Sequence, residues 1–280
     1  MRRTALLGGL LTLLGGLHLA ARQPVGIAYW DVERLYDTIV SPFYNDTDYT
    51  PDGRLHWDSE RYRRKIDRTA ALIDSLALPL VALYGVENEA VVRDLVRACR
   101  NDYTYFHRTL DKPDGLDFAL LYYGDRFFPH YAETGNNYLY VEGALSFAGG
   151  QPPRDTLGLL LCRHERMAGL LSRWLRQERP GAKFVILGRF KASEVGPNGF
   201  CDATAHAERC GRGNCFRQRG WEMRDRIAAD TALRVERCDV YIRRWLLDPA
   251  DGRPLPTYEY TRYRGGCSSR LPVFLYISPP

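Results

Sequence analysis

Residues 78–85, LPLVALYG, are an almost unbroken apolar run of strand length. ENEAVVRDLVRACR follows at once with its apolar residues at helical spacing. A strand without polar alternation must be covered on both faces, and an amphipathic helix beside it is the natural cover. The same pairing returns along the chain. VGIAYWD (25–31), DFALLYY (117–123), LGLLLC (157–162), KFVILGR (183–189) and PVFLYI (272–277) are further short apolar runs. The spacing predicts a helix over 58–76, capped by Asp58 or Ser59, with Tyr62, Ile66, Ala70 and Ile73 on one face. A second helix is expected over 166–181, ended by Pro180 and Gly181. This order implies a layered α/β fold with sheets between helices. No repeat, low-complexity tract or linker divides residues 22–280, which read as one domain.

The first 21 residues have a different character. Two arginines precede a Gly-interrupted apolar stretch that ends in small residues near Ala20 and Ala21. That is the layout of a secretory signal, too short and Gly-rich for a stable membrane anchor, so the protein is expected to be exported without a membrane span. Cleavage would remove Arg2 and Arg3 and lower the formal charge from +5 to +3. So mild a charge does not favour nucleic acid. Seven cysteines in an exported chain suggest disulfide bonding, with Cys201, Cys210 and Cys215 as the candidates in one polar segment. Their spacing lacks the paired CxxC of a zinc site. The six arginines of residues 208–226 read as a solvated loop rather than a polyanion surface.

FVILGRFKAS (184–193) runs from a buried strand onto a loop, the position where α/β proteins carry their chemistry. Here that position holds Arg189 and Lys191. Six blocks in order resemble the endonuclease/exonuclease/phosphatase family of metal-dependent phosphoesterases: residues 30–38, 50–73, 80–95, 115–129, 184–192 and 253–274. The resemblance implies a four-layered α/β sandwich, two packed sheets flanked by helices. It also implies Mg²⁺ or Mn²⁺ held by acidic and amide groups, with an Asp–His pair at the scissile phosphate.

Carried over residue by residue, that chemical set is almost absent. The family's first-strand Asn falls on Asp31, its metal-binding Glu on Gly85, and the Arg of its R-G-I-D block on Asp114, while Asp117 keeps the second acid. Its G-D-F-N motif becomes Gly188, Arg189, Phe190 and Lys191, and its S-D-H becomes Ser268, Ser269 and Arg270. Glycine supplies no ligand, arginine stays protonated, and guanidinium groups repel a divalent ion. The expectation is therefore a degenerate site with no catalytic residues and no bound metal or other cofactor. Arg189, Lys191 and Arg270 are expected beside Asp31, Asp117 and Asp225, as ion pairs or as an anion site. The protein would then bind an anionic small molecule or a protein partner. The alternative is an active Mg- or Mn-dependent phosphodiesterase, phosphatase or nuclease with ligands relocated to Asp31, Glu33, Glu87 and Asp117.

Overall fold

The computed structural model describes residues 23–110, 112–147, 155–218 and 220–278, so the leader reading of residues 1–21 lies outside the described residues. Two six-stranded mixed sheets face each other. The first contains β1 (Val25–Leu35), β2 (Leu80–Val86), β3 (Thr104–Arg108) and β4 (Asp117–Tyr122), joined late in the chain by β13 (Arg234–Val240) and β16 (Val273–Ser278). Its order is β13-β16-β1-β2-β4-β3. The second contains β5 (Phe127–Gly135), β6 (Tyr138–Leu145), β7 (Asp155–Cys162), β8 (Lys183–Gly188), β9 (Phe200–Asp202) and β12 (Arg226–Asp230), in the order β5-β6-β7-β8-β12-β9. Two short hairpins stand outside the sheets: β10 (Cys215–Arg217) with β11 (Gly220–Glu222), and β14 (Tyr258–Glu259) with β15 (Arg262–Tyr263).

Period-two burial explains the layering. On β7, Leu159 and Leu161 join the core shared by both sheets, while Leu160 and Cys162 face α3 (Met167–Glu178). Val185 and Leu187 of β8 follow the first pair, and Phe184 and Ile186 the second. The other flank carries α1 (Ser59–Leu76) and α2 (Glu89–Ala98). Asp58 caps α1, its carboxylate accepting the Arg61 amide, and Ile66, Ala70 and Ile73 are buried as their spacing requires. Tyr62 is only half-buried because its hydroxyl reaches Asp94 on α2. Among the described residues no helix is long and apolar enough to cross a membrane.

Parallel pairs β1–β2 and β7–β8 bring four strand ends to one rim. The approach there is close. Gly188 has φ +125°, and a Cβ on it would lie 2.0 Å from the Cys162 carbonyl oxygen, so only glycine lets β8 turn out beside β7.

Candidate functional site

The rim encloses a cleft of about 650 Å³, lined by Asp31, Glu33, Arg34, Lys65, Tyr84, Arg163 and Arg270 among others. Its floor begins where β1 breaks register with β2 between Asp31 and Leu35. Glu33 and Arg34 both adopt left-handed backbone, with φ of 48° and 55°. L-residues resist that conformation, and two in succession need support from outside. Lys65 supplies it from α1. Its ammonium is buried and donates to the carbonyls of Glu33 and Arg34. The backbone amide of Glu33 in turn donates to Asp31 Oδ1 at 3.0 Å, and the Glu33 carboxylate accepts from the amide and hydroxyl of Ser269.

This bulge accounts for Gly85. A Cβ at that position, where φ is +93°, would sit 3.2 Å from the Glu33 nitrogen and 3.3 Å from both the Arg34 nitrogen and Asp31 Oδ1. A side chain at position 85 would thus press on two backbone amides and the Asp31 carboxylate.

Arg270 occupies the middle of the floor. Its Nη1 donates to Asp225 Oδ1 at 2.6 Å and its Nε lies 3.5 Å from Asp31 Oδ2. The three side chains are only 15%, 2% and 13% exposed. Asp225 also accepts from Asn214 Nδ2 at 2.7 Å, and Trp30 Nε1 donates to the Arg270 carbonyl at 2.9 Å. Burial pushes the Asp31 carboxyl up to about 7; Asp225 and Glu33 add to the shift, and Arg270 opposes it. Two carboxylates thus share one guanidinium.

The balance reverses a few residues away. Arg189 donates through Nε and Nη2 to Glu165 Oε1 at 3.1 and 3.0 Å, and Lys191 Nζ lies 3.9 Å from Glu165 Oε2. Arg224 is half-buried, and among the described residues no carboxylate lies within ion-pair distance of it. Burial holds its pKa below the ordinary value, and the nearby charges of Arg189, Arg270 and Arg217 hold it lower still. Cations therefore outnumber acids on this side.

The other residues singled out from sequence do not converge here. Asp117 accepts the Leu110 amide at 2.8 Å, and its other oxygen lies 3.2 Å from His107 Nε2, too poorly aligned for a hydrogen bond. Its expected place beside the arginines is thus corrected. Residue 117 pairs with Val86 in the sheet, and its carboxylate turns to the loop before β4. Glu87 anchors the loop after β1, accepting from the Asp37 amide at 2.5 Å and the Tyr44 hydroxyl at 3.0 Å. Asp114 is bound by Arg163 Nη1 at 2.8 Å, and that guanidinium lies 4.6 Å over the Tyr84 ring. Among the described residues no group of three or more His, Cys, Asp or Glu could hold a metal ion. The donors that remain do not fit a divalent cation: position 85 offers nothing, and Asp31 and Asp225 are already engaged by Arg270.

All seven cysteines are free thiols in the structure. The disulfide expected among Cys201, Cys210 and Cys215 is not formed. Cys215 is buried, its backbone bridged to that of Arg270, whereas Cys201 and Cys210 are exposed. Sequence reasoning missed Glu165, Arg224 and Lys65. Lys65 gave no readable signal: Arg61 and Thr69 at four residues' distance make its stripe look polar, yet Lys65 and Thr69 are both buried.

Residues 26–144 match the model of the Endonuclease/Exonuclease/phosphatase family. Among solved structures, an endonuclease/exonuclease/phosphatase from Bacteroides vulgatus superposes with a TM-score of 0.60 at 14% identity, covering 92% of this chain and 100% of that one. Mannosyl-6-phosphatase from Bacteroides thetaiotaomicron gives 0.56 at 13%, covering 91% and 100%. D. rerio TDP2 with a single-strand DNA product gives 0.55 at 14%, covering 91% and 99%. No curated protein matches the sequence. The sequence match to that family thus covers residues 26–144, and the chain shares the fold of these solved structures.

Proposed function

We propose that this protein is an exported member of the family that has lost metal-dependent phosphoester hydrolysis and works as a binding module for an anionic ligand. The observation that carries the reading is Arg270, held between Asp225 and Asp31 in the floor of the cleft. A permanently charged guanidinium there repels a divalent ion and is a poor proton acceptor. The anionic preference is supported by Arg189, Lys191 and Arg224, which share Glu165 as their nearby acid. Export is supported by residues 1–21. It would bring the exposed Cys201 and Cys210 into an oxidising compartment, where a thiol count below seven is expected.

The decisive experiment incubates the purified protein with Mg²⁺ or Mn²⁺ and a panel of phosphate mono- and diesters, with calorimetric titration of the ions alongside. Neither turnover nor saturable ion binding is expected. Metal-dependent turnover that disappears in Asp31→Ala or Asp225→Asn would overturn the proposal.

A further inference from the structure

The loop after β1 turns apolar residues toward solvent. Ile39, Val40 and Phe43 are 72%, 54% and 89% exposed, three large apolar side chains within five residues. Water penalises such a display, so a loop built to maintain it has something to cover it. The loop is not slack. Asp37 at its base is tied to the Glu87 carboxylate through its amide, and its Oδ2 accepts from Asn88 Nδ2 at 3.0 Å. Tyr44 packs on Gly115, where a Cβ would come 2.3 Å from the Tyr44 ring, and its hydroxyl donates to Glu87 at 3.0 Å. The apolar side chains are thus held out on a fixed base.

The backbone of the tip is prepared for a medium without water. Pro42 has no amide hydrogen, which leaves four across residues 39–43. Three of them are satisfied inside the loop. The Ile39 amide donates to Asp37 Oδ1 at 2.7 Å, and the Ser41 amide to Asp46 Oδ1 and Oδ2 at 3.2 and 3.0 Å. The Phe43 amide donates to the Ser41 hydroxyl at 3.1 Å. Amides paired in this way leave water at little cost, whereas unpaired ones would resist transfer. Residues 38–45 carry no charge, and between Arg34 and Arg54 the chain has no Lys, Arg or His.

We infer that this tip inserts into the surface of a lipid bilayer, with Ile39, Val40 and Phe43 among the upper acyl chains and Asp37 and Asp46 behind them at headgroup level. The three side chains offer roughly 400 Å² of surface, about half of what one side of a standard protein interface buries, so a second copy or a protein partner gains too little there. A fluid bilayer needs no matching shape. The absence of cations from the loop selects a neutral lipid surface over an anionic one. The inference does not depend on what the cleft binds.

Flotation of the purified protein with phosphatidylcholine vesicles tests the inference. The parent should float with the lipid and stay bound as salt rises from about 0.1 to 1 M, because apolar insertion is not screened. Phe43→Ser and Ile39→Ser, both at exposed side chains, should keep the parent's melting temperature and weaken binding about five- to tenfold each. Phe43→Trp should bind as the parent does, and its added fluorescence should be quenched by brominated acyl chains. Absent flotation, flotation lost in high salt, or no added quenching in Phe43→Trp would each overturn the assignment. Phe43→Ser floating like the parent would overturn it too, by assigning the lipid contact to another segment such as residues 1–21. So would a concentration-dependent dimer that Phe43→Ser abolishes, since a second copy would then cover the tip.

Discussion

Removing the Arg270 side chain is the sharpest test of how the cleft floor is held. In Arg270→Met the backbone contacts survive, because Trp30 donates to the carbonyl and the Ser268 hydroxyl accepts from the amide. What is lost is, among the described residues, the one cation paired with Asp225 and Asp31. Removing one partner of a buried pair costs about 3–5 kcal/mol, because the remaining charge is stranded out of water. At this chain length that is roughly 6–20 °C in melting temperature. The penalty has a ceiling: Asp31, already pushed up to about 7 by burial, can take up a proton instead. The loss should accordingly be largest at pH 8 and shrink at pH 5. Urea unfolding of parent and variant at both values measures this. A loss under about 1 kcal/mol at pH 8, the range of exposed pairs, would refute the argument, as would a loss that grows on acidification. Arg270→Met combined with Asp225→Asn and Asp31→Asn should recover most of the stability, since a neutral replacement of the whole cluster strands nothing.

Gly85→Glu should restore no metal binding and should destabilise by about 1–3 kcal/mol from the left-handed backbone alone, read by thermal melting and metal titration. Lys65→Met should cost about 2–4 kcal/mol by leaving the carbonyls of Glu33 and Arg34 unpaired, and hydrogen exchange should rise locally at residues 31–35. Asp31 and Glu87 both have folded-state pKa values raised to about 7. Raised acids bind more protons folded than unfolded between about pH 4 and 7, so stability falls across that window as pH rises and levels off above it. Urea midpoints from pH 4 to 8 check the sign. The mature protein should begin near Arg22 or Gln23, which N-terminal sequencing of exported material decides.

The buried elements were legible because both faces of a central strand are apolar and their helices carry clear caps and stripes. LPLVALYG, DFALLYY and LGLLLC became β2, β4 and β7 with ends shifted by two residues or fewer. Six strands of the two sheets escaped notice: β3, β5, β6, β9, β12 and β13. β5 and β13 are sheet edges, where polar and charged residues such as His130, Glu133, Arg234 and Glu236 sit on solvated surface and blur the pattern. In the site, the substitutions at 85, 189, 191 and 270 were readable one by one. Their partners were not. Arg270 finds Asp225 across 45 residues and Asp31 across 239, whereas Arg189 finds Glu165 rather than Asp117. Residue identity states which charges need neutralising; only the register of β8 against β12 and of β1 against β16 decides which acid arrives.

The bulge at Glu33 and Arg34 couples positions that lie far apart in the sequence. Lys65, Gly85 and Ser269 each make sense only while that bulge exists, and the bulge persists only while they do. A carboxylate placed at residue 85 alone crowds the Glu33 and Arg34 amides; straightening the bulge alone strands the buried Lys65 ammonium and parts the half-buried Glu33 carboxylate from Ser269. Each single change loses contacts that the others leave unreplaced. The four positions are therefore coupled, and a carboxylate that reached the cleft from residue 85 would need several coordinated substitutions rather than one.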